Sequence, residues 1–234
     1  MSAPNLVALV GDVVASRHYP HQGRLLSFVQ GALERTNHAA PAIQPLQPTV
    51  GDEFQGVYES VARALRAALL VRLELAADAG LAPLPDVRIG LGGGDVTAVP
   101  EAKSPFVQSG SGWWHARQAL DHLEALRHQA LWPRSLRTWY FGDGREDDLV
   151  NALLLCRDEL LDGMDARDRR IALGLFRGEK QLEIAAALGI SQPAVAKRQK
   201  RNGIQAVYRA QLALERTPTR PAARRAVARV DLAR

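Results

Sequence analysis

The chain has 234 residues, of which 47% are hydrophobic and 24% are charged, and this is an ordinary globular composition. No apolar run is long enough to cross a bilayer, and no basic segment precedes an apolar run at the start, so we expect a cytoplasmic protein without a membrane partner. Its one cysteine excludes an intramolecular disulfide and a zinc site built from cysteines.

Charge divides the chain into two parts. Residues 1–148 carry 13 Lys and Arg against 16 Asp and Glu, whereas residues 149–234 carry 17 against 9. We therefore predict a front domain over residues 1–146, a second domain over residues 147–215 and a basic tail over residues 216–234. A strongly basic second part is typical of a module that meets a polyanion.

The front domain shows the element order β-α-β-β-α-β-α-β. Apolar runs with β-branched residues predict strands, and apolar residues at helical spacing predict the helices between them. The predicted strands are Asn5–Val13, the two arms of a hairpin around Val50–Gln55, Asp86–Gly94 and Arg137–Phe141, and the predicted helices begin at Gln22, Ser60 and Gly110. We expect the hairpin to turn tightly on the single residue Gly51.

This order predicts an α+β fold, a ferredoxin-like antiparallel sheet with helices on one face. In that topology the first strand lies beside the hairpin at the centre of the sheet. Asp12 ends the first strand and Asp52 lies at the hairpin tip, so we expect their carboxylates to converge. Two carboxylates this close repel each other unless a cation bridges them, and a Mg²⁺ ion that carries a nucleotide triphosphate is a common bridge.

Each of these features also has a simpler interpretation. Asp12 is also consistent with a strand-end residue that caps its own loop, and Asp52 with Glu53 is consistent with a solvated turn. The glycine run Gly92–Gly94 either lets a backbone approach a ligand closely or makes a flexible loop.

Four segments, LVGDVVASR, VGDEFQG, RIGLGGGDV and HARQAL, occur in this order and resemble the SatD family of bacterial proteins. More distantly, they are similar to class III nucleotidyl cyclases and diguanylate cyclases, which share a ferredoxin-like palm and a two-metal site. The resemblance implies Mg²⁺ or Mn²⁺ at Asp12 and Asp52, together with a purine nucleotide. With the neighbouring Arg17 and Glu53 included, the candidate nucleotide-binding residues are Val13, Val14, Ala15, Ser16, Arg17, Glu53 and Arg117.

The sequence departs from the cyclase pattern at the catalytic positions. Pro48 stands where cyclases have a base-reading lysine, and Trp113 stands where they have a transition-state asparagine. Val50 replaces the first glycine of the diguanylate cyclase signature. We therefore predict nucleotide binding and leave open whether the nucleotide is turned over, because phosphoryl chemistry needs a group that stabilises the leaving charge.

Residues 181–201 have the pattern of a helix-turn-helix, similar to that of sigma-factor region 4. Ile184 and Val195 are predicted to be buried, Gly189 to form the turn, and Ser191 to cap the second helix, which would lie in the major groove. The predicted DNA-binding residues are Ser191, Gln192, Lys197, Arg198, Lys200 and Arg201. The alternative is a solvated helical hairpin that binds another protein.

Three functions follow from these patterns. The favoured one is a DNA-binding transcription regulator with a degenerate cyclase-like domain that binds a Mg-nucleotide. The alternatives are an active nucleotidyl cyclase or other metal-dependent phosphoryl-transfer enzyme, and a scaffold that dimerises through its sheet. The expected partners are double-stranded DNA, a nucleotide ligand and a second copy of the chain, because such palms and such DNA readers commonly work as pairs.

Overall fold

A computed structural model describes residues 6–77, 81, 83–98, 108–142, 144 and 146–217, so the predicted tail from residue 218 onward lies outside the described residues. The strands are β1 (Leu6–Val13), β2 (Gln44–Pro48), β3 (Phe54–Tyr58), β4 (Val87–Gly94), β5 (Thr97–Ala98), β6 (Gln108–Ser109) and β7 (Thr138–Phe141). The helices are α1 (Gln22–Ala39), α2 (Val61–Ala77), α3 (Ser111–Arg127), α4 (Asp147–Asp162), α5 (Ala166–Phe176), α6 (Gln181–Leu188), α7 (Gln192–Arg201) and α8 (Ile204–Arg216), with a 3-10 turn at Ser16–His18. None of these helices is long and apolar enough to span a bilayer.

The main sheet has five strands in the order β2-β3-β1-β4-β7 and is mostly antiparallel, with β7 joining β4 in parallel. The predicted position of the first strand beside the β2–β3 hairpin, in the middle of the sheet, is therefore confirmed. Gly11 of β1 lies opposite Phe54 of β3, and Asp12 lies opposite Arg88 of β4. The chain thus has the predicted α+β class, and the end of β1 lies between two other strands.

The prediction that helices cover only one face of the sheet is wrong. Val7 and Leu9 of β1 pack into the main core with α1 and α2, whereas Ala8 and Val10 pack against α3 on the opposite face. Successive side chains of a strand point to opposite faces, so a continuous apolar run needs cover on both. The apolar run of β1 therefore already required the second layer that α3 supplies.

The glycines of β4 make room for α3. A Cβ atom on Gly90 would overlap the carbonyl oxygen of Ala116, and one on Gly92 would overlap the carbonyl oxygen of Gly112. The backbone of α3 thus lies directly against the strand, which larger residues would prevent. Gly92 therefore serves neither of the two alternatives considered from sequence, a ligand contact or a flexible loop, because it lies in β4 against the backbone of α3.

The β2–β3 hairpin is wider than the single-residue turn predicted from sequence. Its loop spans residues 49–53 and is closed by a hydrogen bond from the Thr49 amide to the Glu53 carbonyl oxygen at 2.9 Å. Gly51 has a φ of 69°, in the left-handed region that glycine favours. Asp52 consequently lies inside a loop, and Glu53 is the last residue before β3.

Helix α2 connects the sheet to the helices that follow residue 146. It packs against the sheet on one side and against α5 and α8 on the other, so that most of its residues are buried. Its buried Glu74 accepts hydrogen bonds from Arg35 of α1 and from Arg177, which follows α5. The division at residue 146 stays a prediction, and buried contacts cross it here.

Candidate functional site

The two acids predicted to hold a metal lie at one end of the sheet. Asp12 comes directly after Gly11, which pairs with Phe54, and Asp52 lies two residues before Phe54 in the hairpin loop. Strand pairing therefore brings the end of β1 and the hairpin loop together. Alternation along β1 directs the Asp12 side chain to the face that α3 covers.

Asp12 is paired with an arginine that the sequence analysis missed. Arg88 of β4 donates from Nε to Oδ1 at 3.0 Å and from Nη2 to Oδ2 at 2.7 Å. Its Nη1 contacts the carboxylate of Glu124 on α3. The guanidinium thus lies between two carboxylates. The only sequence signal for this role of Arg88 was that a charged residue occupies an alternate position in an otherwise apolar strand.

A second ion pair joins α3 to the hairpin loop. Arg117 donates to both carboxylate oxygens of Glu53, at 2.9 and 2.8 Å. The hydrogen bond from Arg117 to Glu53 raises the pKa of Arg117, with smaller support from the charges of Asp121 and Asp12 and with burial opposing it. Both partners are partly exposed, so the pair contributes at most about 1 kcal/mol to stability. Another anion could therefore replace Glu53 at Arg117.

The first two of the predicted nucleotide-binding residues, Val13 and Val14, are held in place by the fold. Val13 is buried in the main core, and the amide of Val14 donates to the carbonyl oxygen of Asp86 at 2.9 Å. Val13 and Val14 thus hold the start of the loop on the sheet, and the amide of Val14 is not available to a ligand.

The other half of the loop is open to an anion. Ala15 has a φ of 54°, a left-handed conformation that is uncommon outside glycine. Within the described residues, the amides of Ala15, Ser16 and Arg17 make no well-formed backbone hydrogen bond outside the regular elements. Consecutive free amides beside a left-handed residue form a concave donor group suited to phosphate.

The predicted Mg²⁺ or Mn²⁺ does not fit the carboxylates as they are arranged. Both oxygens of Asp12 accept hydrogen bonds from Arg88. Of the two predicted metal ligands, Asp52 alone lacks a hydrogen-bond partner among the described residues. Nucleotide-bound Mg²⁺ takes one or two carboxylates together with phosphate oxygens. Within the described ranges, no three His, Cys, Asp or Glu side chains are placed to hold a metal. A cation at Asp12 would first have to displace Arg88.

Helices α6 and α7 have the local geometry predicted from sequence. Gly189 has a φ of 63°, and the Ser191 hydroxyl accepts a hydrogen bond from the amide of Ala194 at 3.4 Å. Ile184 and Val195 are fully buried between the helices. These features fix where α6 ends and where α7 begins.

The six predicted DNA-binding residues divide into two groups. Five are exposed on or just before α7, namely Ser191, Gln192, Lys197, Lys200 and Arg201. Arg198 is a correction, because it donates to Asp165 at 2.9 Å and to Asp168 at 2.6 Å at the start of α5. Arg198 thus holds α7 against α5.

Solved structures of cyclases are similar to the chain. A bacterial light-regulated adenylyl cyclase matches at 17% identity and a TM-score of 0.40, over 58% of this chain and 74% of its own. The catalytic core of a rhodopsin-guanylyl cyclase with converted specificity, in complex with ATPalphaS, matches at 14% and 0.36, over 52% and 76%. A double mutant of the guanylyl cyclase domain of the RhoGC fusion protein from the aquatic fungus Blastocladiella emersonii matches at 14% and 0.37, over 50% and 73%. Similarity at this level assigns no activity.

Comparison with curated proteins gives no match. The model of the SatD family, in contrast, matches residues 6–216. This range begins at the first residue of β1 and ends at the last residue of α8, so it contains both the site at the end of the sheet and the α6–α7 pair. The chain therefore belongs to the SatD family.

Proposed function

We propose that the protein is a DNA-binding transcription regulator, in which α6 and α7 form a helix-turn-helix and the ferredoxin-like, cyclase-like sheet domain binds a nucleotide. The observation that carries this proposal is the exposed face of α7. Lys197, Lys200 and Arg201 share one side of the helix at i, i+3 and i+4 spacing, and Gln192 lies in its first turn. In a helix-turn-helix, such cations contact phosphates and a glutamine near the helix start contacts base edges.

The opposite side of α7 also supports the DNA-binding proposal. Val195 and Gln199 are buried there, and the Gln199 side chain accepts a hydrogen bond from Gln181 of α6 at 2.8 Å. Arg198 adds the ion pairs to α5 described above. The buried face of α7 is thus held by contacts with α5 and α6, so its basic face keeps one orientation.

Removing two of the exposed cations, Lys197→Ala with Arg201→Ala, is expected to weaken binding to double-stranded DNA by about tenfold or more at low salt. Each lost phosphate contact also reduces counterion release, so the slope of log K against log salt should fall by about 2. Fluorescence anisotropy of a labelled duplex across a salt series measures both quantities.

The matched control is Arg209→Ala, which removes an exposed cation from α8 instead of from α7. It should leave duplex affinity and salt slope nearly unchanged. Absence of duplex binding by the wild-type chain at low salt would refute the DNA-binding part of the proposal. An equal loss in the Arg209 variant would show that the binding is not located on α7.

In the sheet domain, we propose that the amides of Ala15, Ser16 and Arg17 and the guanidinium of Arg117 receive the phosphates of the nucleotide. Glu53 is then a competitor, because it occupies Arg117 when no ligand is bound. Free amides and one exchangeable guanidinium at the end of β1 support this assignment.

Two substitutions at this ion pair should therefore act in opposite directions. Arg117→Ala is expected to weaken the binding of ATP or GTP in calorimetry. Glu53→Gln is expected to strengthen it by up to about fivefold, because the nucleotide no longer competes with a half-exposed pair worth at most about 1 kcal/mol.

The controls are Arg127→Ala, an exposed arginine of the same helix, and Glu59→Gln, an exposed acid after β3. Both should bind nucleotide like the wild type. If Glu53→Gln weakened binding as much as Arg117→Ala, then Glu53 would be a ligand contact and the competition would be excluded.

Turnover of the nucleotide is the alternative function. Pro48 ends β2 and Trp113 packs beside Ala8 and Val10, so the positions of the base-reading lysine and the transition-state asparagine hold apolar side chains. Incubation with each nucleoside triphosphate and Mg²⁺ or Mn²⁺ should give no cyclic or dinucleotide product. The homodimer expected from sequence stays a prediction that sedimentation can test.

A further inference from the structure

We propose that Arg88 is the resident counter-cation of Asp12, so that this site excludes divalent metal ions and takes its nucleotide without one. The exclusion of metal is independent of any ligand, whereas the metal-free nucleotide rests on the proposed function. The role of Arg88 depends on how β1 and β4 pair, so the sequence alone did not assign it.

The geometry of Arg88 is that of a bridging cation. Its guanidinium donates a hydrogen bond to each carboxylate oxygen of Asp12 and also contacts the carboxylate of Glu124. Asp12 and Arg88 are directly opposite each other across the β1–β4 pair, and Glu124 approaches from α3 above them. One planar, permanently charged group thus links two carboxylates that would otherwise repel each other.

Burial makes this arrangement hard to displace. The side chains of Asp12 and Arg88 are each 18% exposed. A metal ion at Asp12 would remove the partner of a largely buried guanidinium, which is costly because a partly desolvated charge is left uncompensated. Bidentate charge-assisted hydrogen bonds also fix the orientation of both groups.

The same geometry predicts what the loss of Arg88 does. Without the guanidinium, Asp12 and Glu124 would face each other across the space it vacates. Carboxylates gathered in this way favour a divalent cation with oxygen ligands. A single substitution is therefore expected to convert a metal-excluding site into a metal-binding one.

The experiment uses the full chain and Mn²⁺ alone, with free Mn²⁺ followed by electron paramagnetic resonance. The wild type should bind no Mn²⁺, and Arg88→Ala should gain a site that Asp12→Asn in the same chain removes. The matched control is Arg127→Ala, which removes another arginine near Glu124, at 3.8 Å from its carboxylate, and which should gain nothing.

Two results would overturn the proposal: Mn²⁺ binding by the wild type that Asp12→Asn abolishes, or a folded Arg88→Ala chain that gains no site. Circular dichroism reports folding, and Arg88→Gln, which keeps much of the length and polarity, serves if the alanine variant does not fold.

Nucleotide binding by the wild type should be equal in chelator and in Mg²⁺, and a strict need for Mg²⁺ contradicts the proposal. No nucleotide binding in either condition would refute the proposed function while the Mn²⁺ result still decides the role of Arg88.

Discussion

Asp158→Ala is expected to lower the free energy of unfolding by about 3–5 kcal/mol, because it removes one half of a buried ion pair. Asp158 of α4 is completely buried. It accepts hydrogen bonds from Nη1 of Arg72 at 2.7 Å and from the amides of Arg137 and Thr138 at 2.7 and 2.8 Å. Alanine would leave these donors without that acceptor in a region closed to water.

The neighbouring Arg157 makes this loss more severe. Burial lowers the pKa of Arg157 to about 10, and the charge of Asp158 opposes that shift. Without Asp158, two buried arginines, Arg72 and Arg157, would lie close together with less compensating charge. A loss of several kcal/mol is a large part of the total stability of an ordinary domain, which is about 5–15 kcal/mol.

Urea denaturation followed by tryptophan fluorescence measures the change. Asp162→Ala is the matched control, because it removes the same charge from the same helix at an exposed position. It is expected to change stability by less than about 0.5 kcal/mol. Similar losses in the two variants would show that the buried network does not stabilise the contact between α4 and β7.

Gly92→Ala is expected to destabilise the fold by about 3 kcal/mol or more, because the added methyl group has no room. It would overlap the carbonyl oxygen of Gly112 and the amide of Ala116, both of them backbone atoms of α3. Backbone in a packed helix cannot rotate away as a flexible side chain can. Helix α3 must therefore move off the sheet and take Arg117 with it.

This displacement gives the variant a second measurable consequence. Because α3 holds Arg117 against the hairpin loop, nucleotide binding should be lost even at temperatures where the variant is still folded. The control is Gly23→Ala in α1, where an added methyl group meets no atom within 4 Å. A stable Gly92→Ala chain with wild-type unfolding would mean that α3 does not pack this closely on β4.

Local patterns in the sequence predicted much of the secondary structure. The bounds of β1 and β4, the positive φ of Gly51 and Gly189, and the cap at Ser191 all followed from residues within a few positions of each other. Such features depend on backbone sterics and on hydrogen bonds within one turn, which the neighbouring residues alone determine.

The candidate site was predictable only in part. Asp12 and the hairpin loop were expected to meet because the order of strands places β1 beside β3, and the sheet has that pairing. Arg88 was not assigned a role, although it lies in RIGLGGGDV, one of the four segments that resemble the SatD family. Its role depends on the register between β1 and β4, and a shift of one residue would have pointed it to the other face.

Local sequence patterns were enough to predict the bounds of β1 and β4 to within one residue and the basic surface of α7. The pairing of charges depends on the packed fold, which joins Arg88 to Asp12, Arg117 to Glu53, and Arg198 to Asp165 and Asp168. An ion pair needs its two charged atoms within about 4 Å, and a long, flexible arginine side chain could pair with any of several acids as far as the sequence shows. The packing of strands and helices selects one of those acids, and at Asp12 that selection places an arginine where the sequence predicted a metal ion.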